Sequence, residues 1–234
     1  MKYRRILLKL SGESLAGSGG QGLDSEVLAG YAKEIKEVCN LGLQVAVVVG
    51  GGNIFRGLSG VGKGFDRVNG DQMGMLATTI NSIALGCALK SEGLEAEVFS
   101  ATPMESFVRY WSRDEASSLL DRGVVTLISG GTGNPFFTTD TAAALRAVEL
   151  GAGALFKGTR VDGVYSADPE KDPTAIKYSR LTFDEALEKN LKIMDMTAFT
   201  LCRENRMPIV VFDMNKRGNL LRLVKGEPLG TELF

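Results

Sequence analysis

Leu43-Gln44-Val45-Ala46-Val47-Val48-Val49, followed directly by Gly50-Gly51-Gly52-Asn53, is the stretch that decides the fold. A near-continuous β-branched run without polar alternation is the pattern of a strand buried on both faces, as in a parallel sheet covered by helices. Upstream, Arg5–Leu10 is a second apolar strand ending in a small-residue turn. Asp24 then caps a predicted helix whose Val27, Leu28, Tyr31, Ile35 and Val38 share one face. Downstream, Asp71 is read as the cap of a helix carrying Met73, Leu76, Ala77, Ile80, Ala84 and Cys87. Further strands are predicted at Glu95–Phe99, Val124–Ser129, Ala154–Lys157 and Ile209–Asp213. Helices are predicted at Arg113–Arg122, Thr139–Leu150, Phe183–Lys189 and Ala198–Asn205. This alternation predicts an α/β fold, a three-layer αβα sandwich around a mostly parallel sheet. Turn signals across Gly158–Asp172 suggest two lobes of one domain, about 1–150 and about 151–234, sharing one sheet.

The composition removes several function classes. Lys+Arg number 27 against 28 Asp+Glu, so no basic excess points to a nucleic acid polymer. Cys39, Cys87 and Cys202 are far apart and odd in number, which argues against a disulfide framework and for a reduced compartment. No signal-peptide pattern opens the chain and no apolar run approaches about 18 residues, so a cytoplasmic protein without a membrane span is expected. Histidine is absent, with a count of 0. Imidazole acid–base chemistry, His-ligated metals and His-activated nucleophiles are therefore excluded. Phosphoryl transfer works with what remains, because it rests on positioning and charge stabilisation by Lys, Arg and backbone groups.

Four glycine-rich segments follow predicted strands, where ligands of open α/β sheets bind. Lys9-Leu10-Ser11-Gly12-Glu13 offers a lysine beside exposed amides, or else a solvent-facing lysine at a strand end. Gly50-Gly51-Gly52-Asn53, followed by Arg56, exceeds what a tight turn needs and suits phosphate. Gly130 to Asp140 runs through Thr132, Gly133, Asn134, Pro135, Phe136, Phe137, Thr138 and Thr139 to a helix start that favours anions. Asp140 is out of place beside an anion unless it organises a lysine or a Mg²⁺ ion; the plainer alternative is that Thr139 or Asp140 caps the helix. Gly158 to Pro169 places Tyr165 for a base and Asp168 for ribose hydroxyls, or is simply a surface hairpin. Two tempting patterns fail on context. Gly17-Ser18-Gly19-Gly20-Gln21-Gly22 fits a dinucleotide fingerprint but starts several residues past its strand. Gly57 to Gly64 nearly spells a P-loop, with Gly64 where a hydroxyl must stand.

In chain order, KLSGE, VVGGGNIFRG, NGDQMGMLAT, GTGNPFFTTDTAA, GTRVDGVYSADP and IMDMTAFTLC resemble the bacterial-type uridylate (UMP) kinases of the amino-acid kinase superfamily. The first segment and the triple glycine are shared across that superfamily. GDQMGMLAT and GTGNPFFTTDTAA look specific to the UMP kinases. The resemblance implies that Lys9, Leu10, Ser11, Gly12, Gly52 and Arg56 bind ATP phosphates, and that Thr159, Tyr165 and Asp168 hold its nucleoside. It implies that Gly51, Asp71 and the run Thr132–Thr139 bind UMP, with Lys9, Asp140 and Arg56 catalytic. It also implies Mg²⁺ carried with ATP near Asp140 without an all-protein site, a homohexamer, GTP activation through a loop like Gly17–Gly22, and UTP inhibition. Two rivals stay open on the residues alone: a carboxylate or amino-acid kinase on the same scaffold, and a non-catalytic nucleotide sensor.

Overall fold

The computed structural model describes residues 2–55, 66–169 and 171–234. Within them the strands are β1 Arg5–Leu10, β2 Gln44–Val49, β3 Ala96–Ser100, β4 Arg109–Tyr110, β5 Val125–Ser129, β6 Ala154–Thr159, β7 Val164–Tyr165, β8 Lys177–Tyr178, β9 Arg180–Leu181, β10 Ile209–Asp213 and β11 Thr231–Leu233. The α-helices are α1 Ser25–Cys39, α2 Arg67–Ser91, α3 Arg113–Asp121, α4 Thr139–Glu149, α5 Phe183–Glu188, α6 Met196–Glu204 and α7 Asn219–Val224. Nine of these strands form one sheet in the order β4-β3-β5-β2-β1-β6-β10-β11-β9, and β7 pairs with β8 as a separate ribbon. Every pairing in the large sheet is parallel except β10 with β11.

Strand β2 is buried at all six positions because each face of the sheet carries its own core. Leu7, Ala46 and Val48 point into a cluster with α3, α4, α5 and α6. Their sequence neighbours Ile6, Leu8, Val45 and Val47 point the other way, against α1, α2 and α7. Each fully buried aliphatic side chain contributes roughly 1.5–3 kcal/mol, so the continuous apolar run is what a two-sided core requires. The carboxylate of Asp24 starts α1 as expected, accepting from the amides of Glu26 and Val27 at 2.9 and 3.1 Å.

Helix α2 differs from its sequence reading in two ways. Its cap is Asp66, which accepts from the Asn69 amide at 2.8 Å. Asp71 lies one turn inside, where it pairs with Arg67 at 2.8 Å four residues earlier. Arg67-Val68-Asn69-Gly70 contains weak helix formers, so the sequence pattern places the start of the helix too late. The helix is also 25 residues long and holds an 18-residue window of mean hydropathy 1.2, which reaches the length and apolarity of a membrane-crossing segment despite the absence of a long unbroken apolar run. One face packs on α1, β3 and β5 in the manner of a core helix. The other leaves Leu76, Ile80 and Ile83 exposed. Gly158 and Thr159, read as part of a hairpin, close strand β6 instead; the hairpin proper pairs Val164 with Tyr178 and Tyr165 with Lys177.

Candidate active site

Parallel pairing sets Lys9 of β1 directly beside Lys157 of β6. Two ammonium groups on adjacent strands repel, and a carboxylate stands between them. Asp140, from the first turn of α4, takes Lys9 on Oδ1 at 2.8 Å and Lys157 on Oδ2 at 2.6 Å. All three side chains are at most 15% exposed, so the pairs are weakly screened. Burial pushes the Asp140 carboxyl up, but the charges of Lys9 and Lys157 outweigh it and hold it below the usual carboxylate range. Burial, with Lys9 adding to it, lowers Lys157 in spite of Asp140. Lys157 also donates to the Ile193 carbonyl at 2.5 Å. The result is a carboxylate that spaces two lysines at the C-terminal edge of the sheet.

The turns beside this cluster are held by close packing. A Cβ on Gly12 would lie 2.3 Å from the Gly50 carbonyl oxygen, so only glycine lets the turn after β1 meet the turn after β2. The Gly50 amide donates to the Leu10 carbonyl at 3.0 Å, and the Leu10 side chain is core. Leu10 can therefore offer a nucleotide only backbone. Beneath the triple glycine, the buried amides of Asn53 and Asn81 bond each other, and Asn81 Nδ2 donates to the Gly50 carbonyl at 2.6 Å. Asn53 Nδ2 also donates to the Gly22 carbonyl at 2.6 Å, which ties the Gly17–Gly22 loop to the same point. Arg56 and the near-P-loop at 57–64 lie outside the described residues.

Gly51 packs against α2, where a Cβ would meet Ala77 Cβ and the Gly74 carbonyl oxygen at 2.8 Å. The run after β5 is docked on the same helix: the Gly130 amide donates to Thr78 Oγ1 at 2.9 Å, and the Phe136 amide donates to Asp71 Oδ2 at 2.7 Å. Phe136 adopts φ 72°, a conformation uncommon for a bulky residue, and its ring lies under the Arg67 guanidinium. Thr138, and neither Thr139 nor Asp140, caps α4, its Oγ1 accepting from the Thr141 amide at 3.1 Å. Asp140 is thereby released from capping to face the lysines. Thr132 and Asn134 bond each other within the loop, while Phe136 and Phe137 stay exposed. Gly51, Asp71 and the 132–139 run thus gather on one side of the lysines.

Two cavities open on the other side. One of about 560 Å³ is lined by Thr159, Tyr165, Asp168 and the segment Lys189–Ile193, a size that suits a nucleoside. The Tyr165 hydroxyl donates to Asp162 at 2.6 Å, which fixes the ring at the mouth. Another, of about 810 Å³, runs from Lys9, Ser11 and Lys157 past Thr159 and the Gly17–Gly20 turn to α1. Both cavities reach Lys157 and Thr159.

The family model of the Amino acid kinase family matches residues 4–213. A uridylate kinase of Porphyromonas gingivalis is 57% identical over 229 residues, 98% of this chain and 96% of that protein. One from Bacteroides thetaiotaomicron is 57% identical over 230 residues, 98% of each. The chain belongs to the uridylate kinases of the amino acid kinase family. The crystal structure of a UMP kinase from Bacillus anthracis superposes with a TM-score of 0.96 at 36% identity, covering 99% of this chain and 96% of that one. In this family member the sequence reading overlooked Lys157. Its only local signal was a lone lysine late in an apolar strand, as Lys9 is in β1. Asn81 and Asp195, which contacts the start of α4, were also overlooked, and Asn53 was read only as the end of the glycine turn; their partners lie 28 to 57 residues away in sequence.

Proposed function

We propose that this protein moves the γ-phosphate of ATP onto UMP, giving ADP and UDP. The observation that carries the reading is the Lys9–Asp140–Lys157 cluster, placed between a nucleoside-sized cavity and a loop docked on Asp71. The ATP nucleoside sits against Thr159, Tyr165 and Asp168 in the about 560 Å³ cavity of the lobe at about 151–234. Its phosphates lie along Lys9, Ser11, Gly12, Gly52 and Arg56. UMP lies in the lobe at about 1–150, over Gly51, Asp71 and Thr132–Thr139.

The acceptor phosphate has a second pKa of about 6 and is largely dianionic at neutral pH, so no general base is needed. The obstacle is repulsion between two phosphate anions in an in-line approach. Lys9 and Lys157 neutralise charge on the transferring group, and the α4 N-terminus adds amide dipoles aimed the same way. Asp140 pairs with both ammonium groups and holds them apart. Among the described residues no group of three or more acidic or cysteine side chains is set to hold an ion, and both Asp140 oxygens already face lysines. Those residues fit a cation whose ligands are phosphate oxygens and water. Mg²⁺ carried with ATP would supply charge neutralisation on its phosphates.

Regulation and assembly follow the resemblance: GTP activates through the Gly17–Gly22 loop, UTP inhibits, and the chain forms a homohexamer. The bond from Asn53 to Gly22 supports a loop that reports to the phosphate turn, and the uncovered face of α2 at Leu76, Ile80 and Ile83 supports self-association. The test is an ADP-release assay with ATP·Mg²⁺ and UMP, CMP, acetylglutamate or aspartate in parallel. Turnover confined to UMP is expected; activity only with a carboxylate would overturn the acceptor assignment.

A further inference from the structure

Asp195 begins α6 and caps it, its Oδ1 accepting from the Ala198 amide at 3.0 Å. One N-terminal cap needs no more than that. Yet the same carboxylate reaches across to α4, accepting from Thr141 Oγ1 at 2.8 Å on Oδ1 and from Thr138 Oγ1 on Oδ2. Those threonines bracket Asp140 in the first turn of α4. Two residues before Asp195, the Ile193 carbonyl accepts the Lys157 ammonium at 2.5 Å. A single short segment therefore holds Lys157 directly and the turn of α4 that carries Asp140. That segment continues the wall of the about 560 Å³ cavity, which Leu191, Lys192 and Ile193 line.

We propose that Asp195 is a positioning residue of the phosphoryl-transfer centre, clamping the first turn of α4 through Thr138 and Thr141 so that Asp140 holds Lys9 and Lys157 at their working separation. This rests on the functional reading above. The carboxylate touches no reacting atom, so its effect travels through Asp140 and Lys157. Without it, the α4 N-terminus loses two hydroxyl tethers to α6, and Asp140 can drift relative to strands that are fixed in the sheet. Displacements of about 1 Å at such a centre cost on the order of a hundredfold in rate.

The charge matters as well as the bonds. The charged groups facing Lys157 are Asp140 from α4, Lys9 from β1 and Asp195, of which the two acids favour its protonated form. The neighbouring Cys202 thiol of α6 is pushed by burial up to about 12 and stays neutral. Loss of the Asp195 charge leaves burial and Lys9 to lower Lys157 further, so the ammonium is lost at a lower pH.

The test compares wild type, Asp195→Asn and Thr141→Val by steady-state kinetics with ATP·Mg²⁺ and UMP across pH 6 to 10. Asp195→Asn is expected to lower kcat about tenfold or more while both KM values stay within about threefold. Its alkaline limb of kcat is expected to move to lower pH. Thr141→Val keeps side-chain volume and the Asp195 charge; it should lower kcat severalfold and leave that limb in place. A helix cap alone would destabilise the fold without moving the limb. Wild-type kcat and limb in a folded Asp195→Asn protein would overturn the proposal. Should that variant not fold, wild-type kcat in Thr141→Val would overturn it equally. Inactivity of the parent protein toward UMP would instead sink the functional reading, and the two failures are told apart by that control.

Discussion

Replacing Asp140 with Asn removes the charge between two lysines and leaves the volume unchanged. Lys9 and Lys157 are 14% and 13% exposed, and each loses its only carboxylate within 4 Å among the described residues. Breaking a buried pair by removing one partner costs about 3–5 kcal/mol, because the remaining charge is stranded. For a chain of 234 residues this corresponds to a fall in Tm on the order of 10 °C. The sign of its pH dependence follows from Lys157. Burial already lowers its pKa, so its protonated form is a penalty on the folded state, present in full below the folded pKa. The penalty fades as pH rises from that value toward the unfolded one of about 10.4. Without Asp140 the folded pKa drops further and relief starts sooner. The Tm gap between wild type and variant should therefore narrow from about pH 7 to pH 10. Turnover at saturating ATP and UMP should fall by about 10²–10³, since one transition-state cation is lost or misplaced. Thermal melts over that pH range, with coupled ADP-release assays on the same samples, check both halves. A variant with a pH-independent Tm gap and turnover within a few-fold of wild type would refute the charge-spacing argument.

Three further outcomes are expected. Gly12→Ala places a Cβ 2.3 Å from the Gly50 carbonyl oxygen, so the turn after β1 must open; stability should fall by roughly 1–3 kcal/mol in denaturant titrations and ATP affinity should weaken. Asn81→Ala strands the buried Gly50 carbonyl and Asn53 Oδ1, which should cost about 1–3 kcal/mol and raise KM for ATP more than for UMP. In a kcat pH profile, Asp140 should impose no limb above its usual range because its carboxyl is held below it, whereas Lys157 should impose an alkaline limb below the usual lysine value.

The fold was legible because its decisive signal is local. LQVAVVV reads as doubly buried and is buried at all six positions of β2, while Asp24 caps α1 as its side-chain chemistry demands. Strands β4, β7, β8 and β9 have two residues each, too few for any periodicity to appear. Asp71 looked like a cap because an acid before an apolar stripe is the usual start of a helix. The true start was hidden by the poor helix formers after Asp66. The glycine-rich turns and Asp140 stood out because their chemistry is odd in context. Lys157 stood in a predicted strand and its meaning came only from register, which sets it beside Lys9. Asp195 lies 54 residues from Thr141, and no local pattern announces that contact.

The most direct test of phosphoryl transfer between two clamped nucleotides is a single-turnover reaction with γ-labelled ATP, Mg²⁺ and UMP. The label should appear on UDP one-for-one with ADP formed, and Lys9→Met should abolish the transfer while ATP still binds. Label released only as inorganic phosphate, or UDP formed at the wild-type rate by Lys9→Met, would contradict the account.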